Sequence, residues 1–336
     1  MNWMSLSGIL GARLNPKLIN RKRGWCDLII DALKSLLGKD SFMPYNDSLA
    51  GKEVNKNNFT IINVKNSCNI ICIDGGCATI ADGGSWIIAK IKVGIVEYNG
   101  IKKIRQESKE YYLIIVAKDC YKLLVYQDNK SYELKLKGID SIKIEELASK
   151  IMKYFEWSAC LELKNDCLIL MDSALNAETD FEKELIKKAL DNKLKIIGFC
   201  KTSRMRTLSG RSLLGLINCI SPKNDEWFYH PIFEDEKLIK TFAARLGKTS
   251  KFCYKVELPM YLDPYIIFKS LSFFSKDSEM PGYPYPLFKA DKVARITSFE
   301  RKKDLFAIER ELKNSELYFD SLSNNFHSKM DEKMYK

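Results

Sequence analysis

The run Cys167-Leu168-Ile169-Leu170-Met171 carries no charged or hydrogen-bonding side chain until Asp172 ends it. A strand this apolar is covered on both faces, and the carboxyl ends of such strands are where open α/β sheets place their ligands. Asn69-Ile70-Ile71-Cys72-Ile73 has the same character and reaches Asp74, followed by Gly75-Gly76. Two buried strands that each deliver a carboxylate restrict the chain to a sheet with helices on its faces. They also raise the expectation of a hard-metal site, set against the ordinary use of Asp in turns and caps.

A core of that kind is within reach of 336 residues with 46% hydrophobic content, as one large domain or two smaller ones. The formal charge of +11 suits a polyanionic partner, although a lysine-rich composition alone produces the same excess. Ten cysteines (Cys26, Cys68, Cys72, Cys77, Cys120, Cys160, Cys167, Cys200, Cys219 and Cys253) lie mostly in apolar runs without a CxxC pair, and read as reduced thiols of a cytoplasmic protein. Zinc through Cys68, Cys72 and Cys77 is disfavoured by their spacing. No apolar run reaches the roughly 18 residues of a membrane span, and the N-terminus lacks a signal-peptide cleavage pattern, so no membrane association is expected.

Along the chain, the basic Arg21-Lys22-Arg23 precedes apolar residues at 29, 33, 36 and 37, the spacing of an amphipathic helix. That helix is expected to pack within the chain, with a partner surface as the alternative. A loop should fill 40–60. Strands are expected over 69–74, 85–98, 110–118, 121–127 and 131–137, an antiparallel meander with turns at Asp82-Gly83-Gly84 and Asn99-Gly100. A helix over 141–163, capped by Asp140 or Ser141, leads to the strand ending at Asp172; a helix over 180–191 and a strand over 195–201 follow. Residues 202–230 read as a less regular insertion, 252–258 as a strand, and the Pro-rich 280–286 as the entry to a helix through Asp291 and Ile296. The expected division is an N-terminal helical and loop segment (1–64), a main domain (65–300) and a polar C-terminal helix or tail (301–336). Strands first, then alternating helix and strand, describe a mixed sheet with flanking helices.

Asp74, Glu156 on the helix and Asp172 then stand in the order of acidic residues in ribonuclease H-like folds, whose paired divalent ions clamp the oxygens of a phosphodiester. The chain resembles the NurA nuclease family over about 65–300. The resemblance rests on Ile73-Asp74-Gly75-Gly76, Glu156, Leu168 to Leu175, Gly198-Phe199-Cys200-Lys201-Thr202-Ser203-Arg204, Phe252 to Glu257, and Gly282-Tyr283-Pro284-Tyr285-Pro286-Leu287. It implies an α/β ribonuclease H-like domain with the activity of a Mn²⁺-dependent DNA nuclease, 5′–3′ exonuclease and endonuclease, that resects double-strand breaks. It implies as partners DNA, a second copy in a homodimer, and a HerA-like hexameric ATPase. Carried over, Asp74, Glu156 and Asp172 match the metal-binding carboxylates, Tyr283 matches the tyrosine of a Tyr-Pro motif, and Lys201 matches a strand-end lysine.

Two departures stand out. Asp172-Ser173-Ala174-Leu175 replaces the family's Asp-Gly-Ser-Leu, and Asp291 stands where the family often has histidine. An aspartate is the harder ligand and suits Mn²⁺, with Mg²⁺ as the other candidate. These departures motivate the alternative of a catalytically weakened subunit that binds DNA or the ATPase; an RNA-directed enzyme of the same broad fold is a further rival. Lys201, Arg204, Arg206 and Arg211 form a basic run after a strand end, suited to DNA phosphates or to a solvated face. Tyr283 and Tyr285 suit base stacking or packing. Gly247-Lys248-Thr249 lacks the earlier glycine of a phosphate loop, Phe242 standing in its place, so any translocation would draw its energy from a partner.

Overall fold

The computed structural model describes residues 25–37, 41–46, 51–63, 65–163, 167–234, 236–313 and 315–324. Arg21-Lys22-Arg23 and the last twelve residues of the expected tail lie outside them. In chain order the elements are α1 (Trp25–Leu37), β1 (Pro44–Tyr45), β2 (Phe59–Ile61), β3 (Asn69–Asp82), β4 (Trp86–Asn99), β5 (Lys102–Ala117), β6 (Tyr121–Gln127), β7 (Lys130–Glu133), α2 (Ile144–Leu161), β8 (Leu168–Met171), α3 (Asp180–Asp191), β9 (Ile196–Cys200), β10 (Arg206–Thr207), α4 (Leu213–Ile220), β11 (Trp227–Tyr229), β12 (Ile239–Arg245), β13 (Tyr254–Pro259), α5 (Pro264–Phe274), α6 (Tyr285–Ala294), α7 (Ser298–Leu312) and α8 (Leu317–Asn324).

One 11-stranded sheet runs β2-β11-β12-β13-β9-β8-β3-β4-β5-β6-β7, and β1 pairs separately with β10. Its centre is the mixed unit expected from the sequence: β3, β4 and β5 are antiparallel, while β8 lies parallel to β3 and β9 parallel to β8. The period of two splits the central strands between two cores. Ile71, Ile73, Ile169 and Met171 face the layer with Leu147, Ile151 and Phe155 of α2 and Phe181 and Leu185 of α3. Ile70, Cys72, Leu168 and Leu170 face Phe268 and Leu271 of α5 and Leu287 and Ala290 of α6. The sequence is therefore apolar without alternation because both faces of these strands are covered.

Several expectations change. β3 does not end at Asp74 but continues to Asp82, paired with β4 except at an irregularity at Ile80. β5 begins at Lys102 rather than at 110. Neither Asp140 nor Ser141 caps α2: the N-cap is Lys143 without a side-chain bond, Asp140 accepts from the Tyr121 N–H at 3.2 Å, and the Ser141 hydroxyl donates to Gly138 O at 3.3 Å. Within the expected irregular insertion stand α4 and β11, and β11 bridges β2 and β12, so residues 59–61 of the N-terminal segment join the main sheet. The apolar face of α1 is not packed away: Ile29, Ile30, Leu33 and Leu36 are 48–74% exposed. No helix among the described residues is long and apolar enough to cross a membrane.

Candidate metal centre

Two parallel strands, β8 and β9, bring their carboxyl ends to the middle of a third, β3. Ile73 of β3 pairs with Met171 of β8, and Met171 pairs with Gly198 of β9. β8 stops there, and the Asp172 N–H makes one more bond, to Ile73 O at 3.2 Å, before the chain turns away. Asp74 and Asp172 thus sit side by side, and Lys201 follows directly on the end of β9.

Helices approach β3 closely from both sides, and the two glycines after Asp74 permit it. A Cβ on Gly75 would come within 3 Å of Glu156 Oε1 and Met152 Cγ of α2; one on Gly76 would collide with Ala294 O of α6. A Cβ on Gly94, opposite Asp74 on β4, would stand 2.6 Å from Ala290 O. The glycines make room for helices rather than for a ligand to reach the backbone. Seated this way, α6 delivers Asp291 to the other two aspartates.

One carboxylate oxygen from each of Asp74, Asp172 and Asp291 lies within 4.8 Å of the others. Asp74 is 7% exposed, and the other two are half-buried. The Lys201 ammonium touches all three, at 2.5 Å from Asp172 Oδ2, 2.8 Å from Asp291 Oδ1 and 3.8 Å from Asp74 Oδ2. Arg295, one turn along α6, bonds the other Asp291 oxygen at 3.0 Å. Burial, then the Asp172 and Glu156 charges, push the Asp74 carboxyl up to about 8 against the pull of Lys201 and Lys153. For Asp291 burial works upward too, but Lys201 and Arg295 outweigh it and hold the carboxyl below its usual range.

Glu156 does not join this cluster. It is fully buried against Gly75 and pairs with Lys153, one turn back on α2, at 2.8 and 3.1 Å. Burial raises its pKa, and Lys153 only partly offsets the rise. Lys153 escaped notice in the sequence, although an (i, i+3) Lys–Glu spacing on a helix was there to be read.

The carboxylates stand between two clefts. The larger, about 520 Å³, is lined by Lys150, Met152, Lys153, Trp157, Asp172 and Lys201 among others. The smaller, about 240 Å³, lies under α6 and includes Asp74, Gly76, Asp291 and Arg295. Arg204 is exposed and acts with Lys150 to lower the pKa of Glu178 on the rim of the larger cleft. Arg206 is exposed on β10, and Arg211 is half-buried beyond it. Tyr283 is 3% exposed, packed edge-on against Phe199 and Tyr254, so its ring is closed to base stacking. Its hydroxyl is buried with no hydrogen-bond partner among the described residues, and burial and then the Asp172 and Asp74 charges drive the phenol pKa far up.

The donor set fits a hard divalent cation. It consists of carboxylate oxygens alone, close enough together to share one ion, and Asp74 carries excess repulsion that a dication would relieve.

Comparison with known proteins agrees with this topology. No curated protein sequence matches. Among solved structures, the NurA nuclease from Sulfolobus solfataricus superposes with a TM-score of 0.57 at 17% identity, covering 90% of this chain and 99% of that one. A second NurA structure gives 0.49 at 11% identity over 79% of this chain and 93% of its own, and human ENDOV gives 0.40 at 11% over 72% and 93%. The NurA domain profile matches residues 68–296, which takes in β3 through α6 and all three clustered aspartates, and the chain belongs to the NurA family.

Proposed function

We propose that this protein is a metal-dependent deoxyribonuclease that hydrolyses phosphodiester bonds at DNA ends. The observation that carries the reading is the convergence of Asp74, Asp172 and Asp291, three carboxylates from two strands and a helix with oxygens within 4.8 Å of one another. These residues would hold Mn²⁺, with Mg²⁺ as the second candidate. The ion, when bound, supplies an activated water and positive charge at the phosphodiester. Glu156 is the fourth acidic residue of the set and becomes available as Lys153 releases it.

The chain's own groups do the rest. Lys201 stands where its ammonium can neutralise a phosphate oxygen once the carboxylates are otherwise engaged. Arg204, Arg206 and Arg211 extend positive charge from the end of β9 and position the strand through its phosphates. Tyr283 holds its ring over the floor of the site, with Lys201 Nζ 5.7 Å from its centroid. The family resemblance supports the finer reading: 5′–3′ exonuclease and endonuclease action in double-strand break resection, as a cytoplasmic homodimer with a HerA-like hexameric ATPase. The exposed apolar face of α1 suits a protein partner.

The test is degradation of linear DNA by the purified protein with Mn²⁺. Asp172→Asn, which keeps the shape and removes the charge, should abolish cleavage while the circular dichroism spectrum is unchanged. Equal activity in both proteins would overturn the assignment. DNA binding without cleavage in the wild type would favour the weakened-subunit alternative.

A further inference from the structure

Outside the metal centre, the most deeply buried charge the site does not use is Glu257 on β13, which is wholly inaccessible. It lies across β9 from Asp172, opposite Gly198 in the strand register. The loop that follows Asp172 folds back over β9 at that glycine: a Cβ on Gly198 would stand 2.8 Å from Ser173 O and 3.1 Å from Leu175 N. Crossing there, the loop meets the Glu257 carboxylate. The Leu175 N–H donates to Oε2 at 2.5 Å, and the Asn176 amide donates to Oε1 at 3.3 Å. Lys255, on the same face of β13, pairs with the same carboxylate.

We infer that Glu257 is the positioning residue for Asp172. The segment that carries this aspartate is pinned at both ends, by the Asp172 N–H on Ile73 O and by the Leu175 N–H on Glu257. Leu175 is itself 1% exposed, so its N–H has left the sheet without reaching water and needs an internal acceptor. A buried ion pair is seldom needed for stability, since an apolar pair of similar volume serves as well. An apolar pair cannot accept the Leu175 N–H. Gly198 and Glu257 therefore act together, one giving the loop room and the other fixing it, and the Ser173-Ala174 turn is held from outside.

This inference rests on the reading of Asp172 as a metal ligand. It is tested by comparing two neutral double variants with the wild type by Mn²⁺ titration, read from the electron paramagnetic resonance of the free ion. Lys255→Met with Glu257→Gln keeps an acceptor for Leu175 and should bind Mn²⁺ within about threefold of wild type. Lys255→Met with Glu257→Met removes it and should bind at least about tenfold more weakly, the size of effect expected for groups that orient metal ligands. Its kcat on DNA ends should fall while KM for DNA stays constant. A folded Met/Met variant that binds Mn²⁺ as tightly as wild type overturns the inference. Should that variant not fold, Gly198→Ala, which pushes the loop off β9 with Glu257 in place, must show the same loss, and wild-type affinity there overturns it equally. Absence of Mn²⁺ binding in the wild type would instead remove the functional reading beneath it.

Discussion

Lys201 puts a permanent cation among the three carboxylates, and replacing it with methionine isolates what that charge does. In the structure the ammonium bonds Asp172 at 2.5 Å and Asp291 at 2.8 Å, using oxygens of the residues that would hold Mn²⁺. A dication held by the same three carboxylates would repel the ammonium and compete with it for their oxygens, so metal entry should displace the lysine. A charge-assisted hydrogen bond in a protected site contributes about 1.5–3 kcal/mol. The Lys201 side chain is 39% exposed, which pulls each bond toward the 0.2–1 kcal/mol of a solvent-screened pair, and about 0.7 kcal/mol for each of two bonds is a fair working value. Their sum, about 1.4 kcal/mol, is one factor of ten in an equilibrium constant. Lys201→Met should therefore bind Mn²⁺ about tenfold more tightly than wild type in a calorimetric titration. Without metal it should melt at a lower temperature, because three carboxylates lose their main counter-ion. Its hydrolysis of DNA ends should still fall, since the group proposed to meet the phosphate is gone. Tighter metal binding with slower turnover is the signature; Mn²⁺ affinity unchanged or weakened in the variant would refute the displacement argument.

The raised pKa of Asp74 sets a pH dependence for both metal binding and stability. Below about 8 a proton occupies the site and must leave on binding, so Mn²⁺ affinity should climb up to about tenfold per pH unit toward pH 8 and then level off. A folded pKa raised above the unfolded value stabilises the chain at low pH and loses that contribution as pH rises through the folded value. The metal-free melting temperature should thus decline from pH 6 to pH 9, with Mn²⁺ reversing the trend; a flat profile would count against the coupling. Tyr283→Phe removes a buried hydroxyl that has no hydrogen-bond partner among the described residues, and should leave stability unchanged or raise it by up to about 1 kcal/mol in urea titrations. A large loss of activity in that stable variant would assign the hydroxyl a direct role. Gly76→Ala forces a methyl against the α6 backbone and should cost about 1–3 kcal/mol, with weaker Mn²⁺ binding because α6 carries Asp291.

What could be read from the sequence was what the chain advertises locally. The runs at 69–73 and 168–171 announce double-sided burial by composition alone, and the order Asp74, Glu156, Asp172 follows the strands and the helix that carry them. The first half of β5 is invisible to such reading: Lys102 to Lys109 is polar but for Ile104, begins with three exposed residues, and is a strand because β4 pairs with it. α5 is apolar nearly all round and shows no face until its second-core partners are known. Glu156 was found as a residue, but its pairing with Lys153 and its seat on Gly75 are tertiary facts that no local reading supplies. Asp291 could be placed only once Gly76 and Gly94 had set the depth of α6. Glu257 looked like one charge in a strand, and nothing short of the β9–β13 register connects it to a loop more than eighty residues earlier.

The site arises from a mismatch in strand length. β8 stops at Met171 while β3 runs on to Asp82, so the sheet has a step at Asp74 where one side of β3 loses its parallel neighbour. A polar side chain at such a step is nearly buried by the strands and helices around it, yet faces the open space left by the missing strand. That combination raises the Asp74 pKa and still leaves the group reachable from solvent. Helices on both faces close the step without filling it, since Gly75, Gly76 and Gly94 let them approach and α2 and α6 each contribute a carboxylate, one held off by Lys153 and one drawn in by Lys201. The larger cleft opens on the α2 side and the smaller on the α6 side, and Asp172, Asp74 and Asp291 form the wall between them. A phosphodiester cleaved here would have its reacting phosphate on that wall, with the chain on either side in a different cleft. Substitutions at Lys150 and at Arg295 would then weaken contacts to opposite sides of the scissile bond, and their effects on cleavage of short oligonucleotides should be additive in free energy.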